Sequence, residues 1–199
     1  MYTHLEDYIY ALYTSIGVKS PNDLDMKFIA KQLGVDIIYR QRTFRFDNEI
    51  VLVKSTKRKE WIEFGHEICH YLRHAGSQLN MGPMFRELQE WQADYFAYHF
   101  CVPTFMLLDF DFPKYTGQAI QQIADSFNVT LEFARTRFNM YKSKHIQYVT
   151  QNAFAHSMVT ESEILNDEFY DTFNLEENAA KKIQETVDFW HYLQRRKIT

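Results

Sequence analysis

The stretch FGHEICHYLRH, residues 64–74, sets His66, Glu67 and His70 in the order H-E-x-x-H, with His74 one turn further on. Helical residues four apart lie on one face, so two imidazoles at this spacing can reach a single ion. A carboxylate beside the first of them is placed to polarise a water on that ion and then to carry its proton. The chemistry open to this spacing is therefore metal-assisted hydrolysis of an amide, with Glu67 as the general base. A catalytic zinc site takes three protein ligands and keeps a further position for water, so the chain must supply one more ligand.

The segment ELQEWQADYFAYHF contains Glu90 and, one turn later, Asp94. A Glu-x-x-x-Asp segment downstream of H-E-x-x-H resembles the arrangement of the gluzincin peptidases. That resemblance implies Glu90 as the third ligand and Asp94 as the acceptor for a ligand histidine, an outer hydrogen bond that sets tautomer and ring orientation. Asp94 falls in the apolar run Ala93, Tyr95, Phe96, Ala97, where an unpartnered charge would be costly. Glu87 is the rival ligand one turn earlier, but the residue four beyond it is Trp91. His74 extends the His66–His70 face too far along the axis to share the ion, and reads as a helix-end histidine near the C-terminal dipole. Tyr71, Tyr95, Tyr98 and His99 are nearby donors for a developing oxyanion, and spacing does not choose among them. The retained Glu67 separates the catalytic reading from a structural one, because a structural zinc needs no general base and favours a fourth protein ligand.

Both segments need helices to present them. The pattern predicts a helix from Lys59 to His74 with Gly76 as its stop, and another from Phe85 to Phe100 ended by Pro103. Upstream, Leu5, Ile9, Leu12 and Ile16 recur at helical spacing before Gly17. Asn22 or Asp23 is placed to cap a second helix whose buried stripe is Leu24, Phe28, Ile29 and Leu33, with Gly34 as its C-terminal cap. VDIIY, residues 35–39, reads as a strand, and FRF and IVLV flank Asp47-Asn48 as an antiparallel hairpin. The edge of IVLV is expected to be open to an extended substrate. Residues 117–141 read as helix, turn and helix. Beyond them lie an acidic stretch from Glu161 to Glu177, by default a solvated face, and a last helix carrying Phe189, Trp190 and Leu193.

Composition bounds the answer. With 199 residues the chain is long enough for one domain with a small appendage. Its 17 Phe and 13 Tyr supply a dense aromatic core, while 6 Gly and 4 Pro leave little for linkers and favour helices. A formal net charge of -4 argues against a general polyanion binder. Two cysteines in unrelated contexts do not make a disulfide scaffold, and reduced thiols fit a cytosolic setting. The N-terminus carries acidic residues and reads as an amphipathic helix rather than a signal peptide. No apolar run approaches the roughly 20 residues needed to span a membrane. The expectation is a cytoplasmic protein.

Taken together, HEICHYLRH, EWQADYFAYHFCVP and IADSFNVTLEFARTRFNM, with DLDMKFIAKQLGVDI upstream, resemble the ImmA/IrrE metallopeptidases over residues 20–142. The Glu-x-x-x-Asp segment after H-E-x-x-H is also the arrangement of gluzincin peptidases. The resemblance implies one Zn2+ ion, or another divalent metal, held by His66, His70 and Glu90, with Glu67 catalytic. Cys69 stands where the family often has glycine, and a small buried residue is its expected role. By the same resemblance the substrate is a specific helix-turn-helix transcriptional repressor of a prophage or mobile element.

The fold expected is α+β and predominantly helical: a minimal zincin-like domain with a short, three-stranded sheet over residues 1–115. A helix-turn-helix-like segment over 116–145 and a C-terminal helical extension over 146–199 would follow. The competing reading is a non-catalytic DNA- or repressor-binding module with a vestigial or structural metal site. Its support is the apolar pattern Ile120, Ile123, Ala124, Phe127, Leu131, Ala134 and Phe138, with Arg135, Arg137, Lys142 and Lys144 available for phosphates. An ordinary packed helix pair with solvated arginines explains the same residues.

Overall fold

The computed structural model describes residues 3–41, 44–46, 48–74 and 82–164. The chain divides into two compact units, residues 1–139 and 140–199. The first is α+β and mostly helical, as expected. Its elements run α1 (His4–Ser15), α2 (Met26–Leu33), β1 (Asp36–Tyr39), β2 (Phe44–Phe46), β3 (Glu49–Leu52), α3 (Lys57–Arg73), α4 (Pro83–Cys101), α5 (Thr104–Leu107) and α6 (Thr116–Ser126). Helix α7, Leu131–Ile164, begins in the first unit and supplies the described part of the second. The predicted stop at Gly76, the turn residue Asp47, the acidic stretch beyond 164 and the C-terminal helix fall outside the described residues.

Local signals account for the helix ends. Thr3 and Glu6 form a capping box on α1, the Glu6 carboxylate accepting the Thr3 amide at 2.7 Å. Gly17 ends that region at φ +79°. The residues α1 buries are Glu6, Ile9 and Tyr13; of the predicted row, Ile9 is buried and Leu5, Leu12 and Ile16 are half-buried. Asp25, rather than Asn22 or Asp23, caps α2 by accepting from the Phe28 amide at 2.7 Å. Asp23 instead closes the single turn before it, accepting from Ser20. Phe28 is left exposed, so the stripe of α2 is narrower than its sequence pattern, with Ile29 and Ala30 buried. Gly34 caps α2 in the left-handed conformation, as predicted.

The three strands are ordered β1-β3-β2. The hairpin of β2 and β3 is antiparallel as expected, and β1 joins parallel on the other side of β3. The strand within IVLV is therefore central, with both edges paired and Ile50, Val51 and Leu52 buried. The expectation of an open edge there is wrong. A strand buried on both faces reads as a continuous apolar run, and that is what these residues spell. Among the described residues the outer strands are β1 and β2.

The core is aromatic. Trp61 and Phe64 of α3 pack against Phe100 of α4 with ring centroids 5.5 and 6.1 Å away, and Phe96 stacks on Phe100 at 5.5 Å. Tyr13 reaches from α1 and donates its hydroxyl proton to the Phe100 carbonyl at 2.7 Å. Full burial of each large apolar side chain contributes on the order of 2 kcal/mol. The helices α6 and α7 bury Ile123, Ala124, Phe127 and Ala134, while Leu131 is exposed. Arg137 is 1% exposed and cannot meet a phosphate. Its guanidinium donates to the Val102 carbonyl at 3.0 Å and to the Thr104 hydroxyl at 2.7 Å, and Thr104 in turn donates to the buried Glu6 carboxylate at 2.6 Å. Burial of such a charge needs these bonds.

Helices α3 and α4 run in opposite directions: Trp61 meets Cys101, and Cys69 meets Gln92 further along. Their closest approach is at Gly65. A Cβ there would stand 2.7 Å from Cys101 Sγ and 3.3 Å from the Phe100 ring. Alanine favours an isolated helix by about 1 kcal/mol over glycine. Overpacking of a buried crossing costs about 1–3 kcal/mol. Gly65→Ala should therefore lower stability by about 1 kcal/mol net in urea denaturation. In a Cys101→Ala background the same change should be neutral or stabilising; an equal loss in both backgrounds would refute the contact.

Candidate metal centre

The α3–α4 crossing brings together side chains 24 positions apart. His66 Nε2 lies 3.2 Å from Glu90 Oε2, and His70 Nε2 lies 3.6 Å from Glu90 Oε1. The two Nε2 atoms are 3.1 Å apart. Two nitrogens each about 2.0–2.1 Å from one tetrahedral ion stand about 3.3 Å apart, so the donors fit a single zinc. One ligand atom from each of His66, His70 and Glu90 lies within 4.8 Å of the others, and this is the group that the described residues offer to a metal. Glu87 is exposed and outside it.

Protons complete the fit. His66 Nδ1 is 2.8 Å from Asp94 Oδ1. A carboxylate only accepts, so Nδ1 carries a proton, and a neutral His66 then presents the lone pair of Nε2 to the centre. Asp94 thus has the hydrogen bond expected of it, but for a different reason. Its side chain is 70% exposed, so the burial cost inferred from its apolar neighbours does not apply. Of those neighbours, Ala93, Phe96 and Ala97 are buried while Asp94 is not. Glu67 is buried on α3 beside His66. The centre is open on one side, since His70 is 9% and Glu90 43% exposed, which leaves an approach for water and substrate.

The four oxyanion candidates have other partners. Tyr71 donates to the Leu33 carbonyl at 3.4 Å. Tyr98 stacks on Phe133 at 4.4 Å, and Tyr95 lies between Trp91 and His99. His99 is buried, with Nδ1 3.8 Å from Glu6 Oε1. It is nine residues past Glu90, half a turn round the helix, so it faces away from the ligands. Among the described residues, Tyr71, Tyr95, Tyr98 and His99 are thus engaged by these other groups. Cys69 is 1% exposed, and burial pushes its thiol up to about 12, which fits a packing residue rather than a reactive one.

Sequence reasoning missed a third histidine contact. His74 Nδ1 lies 2.8 Å from His70 Nδ1, and His74 Nε2 lies 3.1 Å from Gln92 Oε1 on α4. Burial lowers the pKa of His74, while the Gln92 hydrogen bond opposes that shift. The third histidine of HEICHYLRH was the available signal. Helical spacing puts it beside His70 even though it is too far along to share an ion with His66.

The triad on this zincin-like helix pair is a group that could hold a metal ion. The family described as the IrrE N-terminal-like domain matches residues 22–139, and the chain belongs to it, the ImmA/IrrE metallopeptidases. The phage-like element PBSX protein XkdA of Bacillus subtilis (strain 168) is 43% identical over 148 residues, 71% of this chain and 75% of the relative. The uncharacterized protein YqaB of the same strain is 31% identical over 153 residues, 74% of this chain and 89% of the relative. No solved structure matches the chain.

The ligand set predicts its own test. Glu90→Ala should lower zinc content from near one ion per chain to little or none, measured by elemental analysis after purification without chelator. Glu87→Ala should leave the content unchanged. A reversal of the two results would reassign the third ligand.

Proposed function

We propose that the protein is a zinc endopeptidase that cuts one specific partner, a helix-turn-helix transcriptional repressor of phage type. The observation that carries this reading is the convergence of His66, His70 and Glu90 on one point, with the buried Glu67 next to His66 in the chain. His66, His70 and Glu90 would hold the ion, and another divalent metal can use the same donors. When bound, zinc polarises the scissile carbonyl and makes a water nucleophilic near neutral pH. Glu67 takes the proton of the attacking water and returns it to the leaving amine. Asp94 keeps His66 in the tautomer that offers Nε2 inward.

The repressor substrate is supported by the family and by the name of XkdA, a phage-like element protein. A protein substrate also suits the exposed apolar row of Met84, Leu88 and Trp91 along α4. An extended segment of the substrate would pair with an outer strand, β1 or β2. Among the described residues no helix is long and apolar enough to cross a membrane, which is compatible with a cytoplasmic site of action on a DNA-bound protein. The DNA-binding alternative loses support from the burial of Arg137, one of the cations it needs.

Cleavage tests the reading directly. Incubated with phage-type repressors of its host, the wild-type protein should cut one of them at a defined bond. Glu67→Gln should reduce that cleavage at least about 100-fold, the usual contribution of a general base, while keeping its zinc. Cleavage at the wild-type rate by Glu67→Gln would sink the mechanism.

A further inference from the structure

We propose that His74, held by Gln92, is the positioning residue for His70, and that the third histidine of HEICHYLRH acts on the metal through that bond. The inference rests on the metal-centre reading above. It needs only the two contacts of His74 and the valence of imidazole. A histidine that ligates through Nε2 must carry its proton on Nδ1. For His70 that proton points at His74 Nδ1, 2.8 Å away. His74 Nδ1 must then be the acceptor, so His74 is neutral and its own proton is on Nε2. That proton faces the carbonyl oxygen of Gln92 at 3.1 Å. Each atom in the row has the role the next one requires.

The reverse assignment breaks the row. Were Gln92 to present its amide nitrogen, it would donate to His74 Nε2, and His74 would donate from Nδ1 to His70. His70 would then carry its proton on Nε2, which faces His66 Nε2 and the Glu90 carboxylate and could not ligate. The orientation of the Gln92 amide therefore decides whether His70 is a ligand. Helix α4 supports both ligand histidines of α3, His66 directly through Asp94 and His70 indirectly through Gln92 and His74. The two supports differ in charge: a carboxylate stands behind His66 and a neutral ring behind His70. Outer-sphere partners of this kind carry about 10–100-fold in metal affinity.

The test is zinc affinity of the full chain, by competition with a chromophoric chelator, for wild type, His74→Phe, Gln92→Leu and Gln92→Glu. Melting temperatures of the metal-free proteins would be measured alongside. His74→Phe should weaken zinc binding about 10–100-fold. Gln92→Leu, at an exposed position, should weaken it less. Gln92→Glu offers only acceptors and should bind at least as tightly as wild type. Long-range proton–nitrogen spectra of the zinc-loaded wild type should place the His70 proton on Nδ1 and the His74 proton on Nε2. Affinity of His74→Phe within twofold of wild type would overturn the proposal. So would a His74 proton on Nδ1, a zinc-coordinated His74, or an equal loss in Gln92→Glu and His74→Phe. A wild-type protein that binds no zinc would overturn the metal centre itself and this inference with it.

Discussion

At the crossing of α3 and α4 a missing side chain sets the distance between two helices. A Cβ on Gly65 would press on Cys101 and Phe100, and a wider spacing would draw Glu90 and Asp94 away from His66, the next residue along. Two of the candidate metal donors come from one helix and one from the other, so neither helix offers the group alone. The packing of Trp61, Phe64, Phe96 and Phe100 around the crossing holds the register of the pair, and Tyr13 fastens α1 to the same turn of α4. Close-packed aromatic rings resist sliding, which is what a centre with ligand tolerances of a few tenths of an ångström requires.

The two helix faces carry different kinds of polar order. On the open face, Glu90, Asp94 and Gln92 of α4 meet His66, His70 and His74 of α3, three acceptors or ligands against three imidazoles. On the buried side, Glu6, Thr104 and Arg137 are linked in one hydrogen-bonded row. The open face gives the histidines defined proton positions and access to water. The buried row joins α1, α5 and α7 around the end of α4, where apolar contacts alone would leave their register less defined. That row is a charged arrangement inside a core, so its bonds matter more for specifying one packing than for adding net stability.

What was legible in the sequence follows interaction range. His66 and His70 are an i, i+4 pair, and Glu90 and Asp94 are another, so each half of the centre is a local pattern that helical geometry translates without knowledge of the fold. Gly17 and Gly34 were legible for the same reason, since a left-handed cap is a property of a few residues. The burial of Arg137 was not legible, because its partners Val102 and Thr104 are more than thirty positions away and an arginine on a helix is solvated by default. The central place of β3 was missed because β1 returns to it in parallel, and hairpin signals say nothing of the third strand. His74 was judged by its distance from the ion, when its role depends on its distance from His70. Nearness in sequence on α4 does not set direction either: His99 is half a turn from Glu90.

The buried row also says where this domain begins as a folding unit. The family match starts at residue 22, yet the carboxylate that Thr104 connects to Arg137 belongs to Glu6. A fragment trimmed to the matched region would keep every metal ligand and every strand. It would also lose the Tyr13 bond to Phe100 and leave an arginine enclosed with its anionic counterpart removed. The boundary drawn by sequence similarity and the boundary drawn by charge balance therefore differ by about one helix. Any shortened version meant to preserve the catalytic half must carry α1 with it.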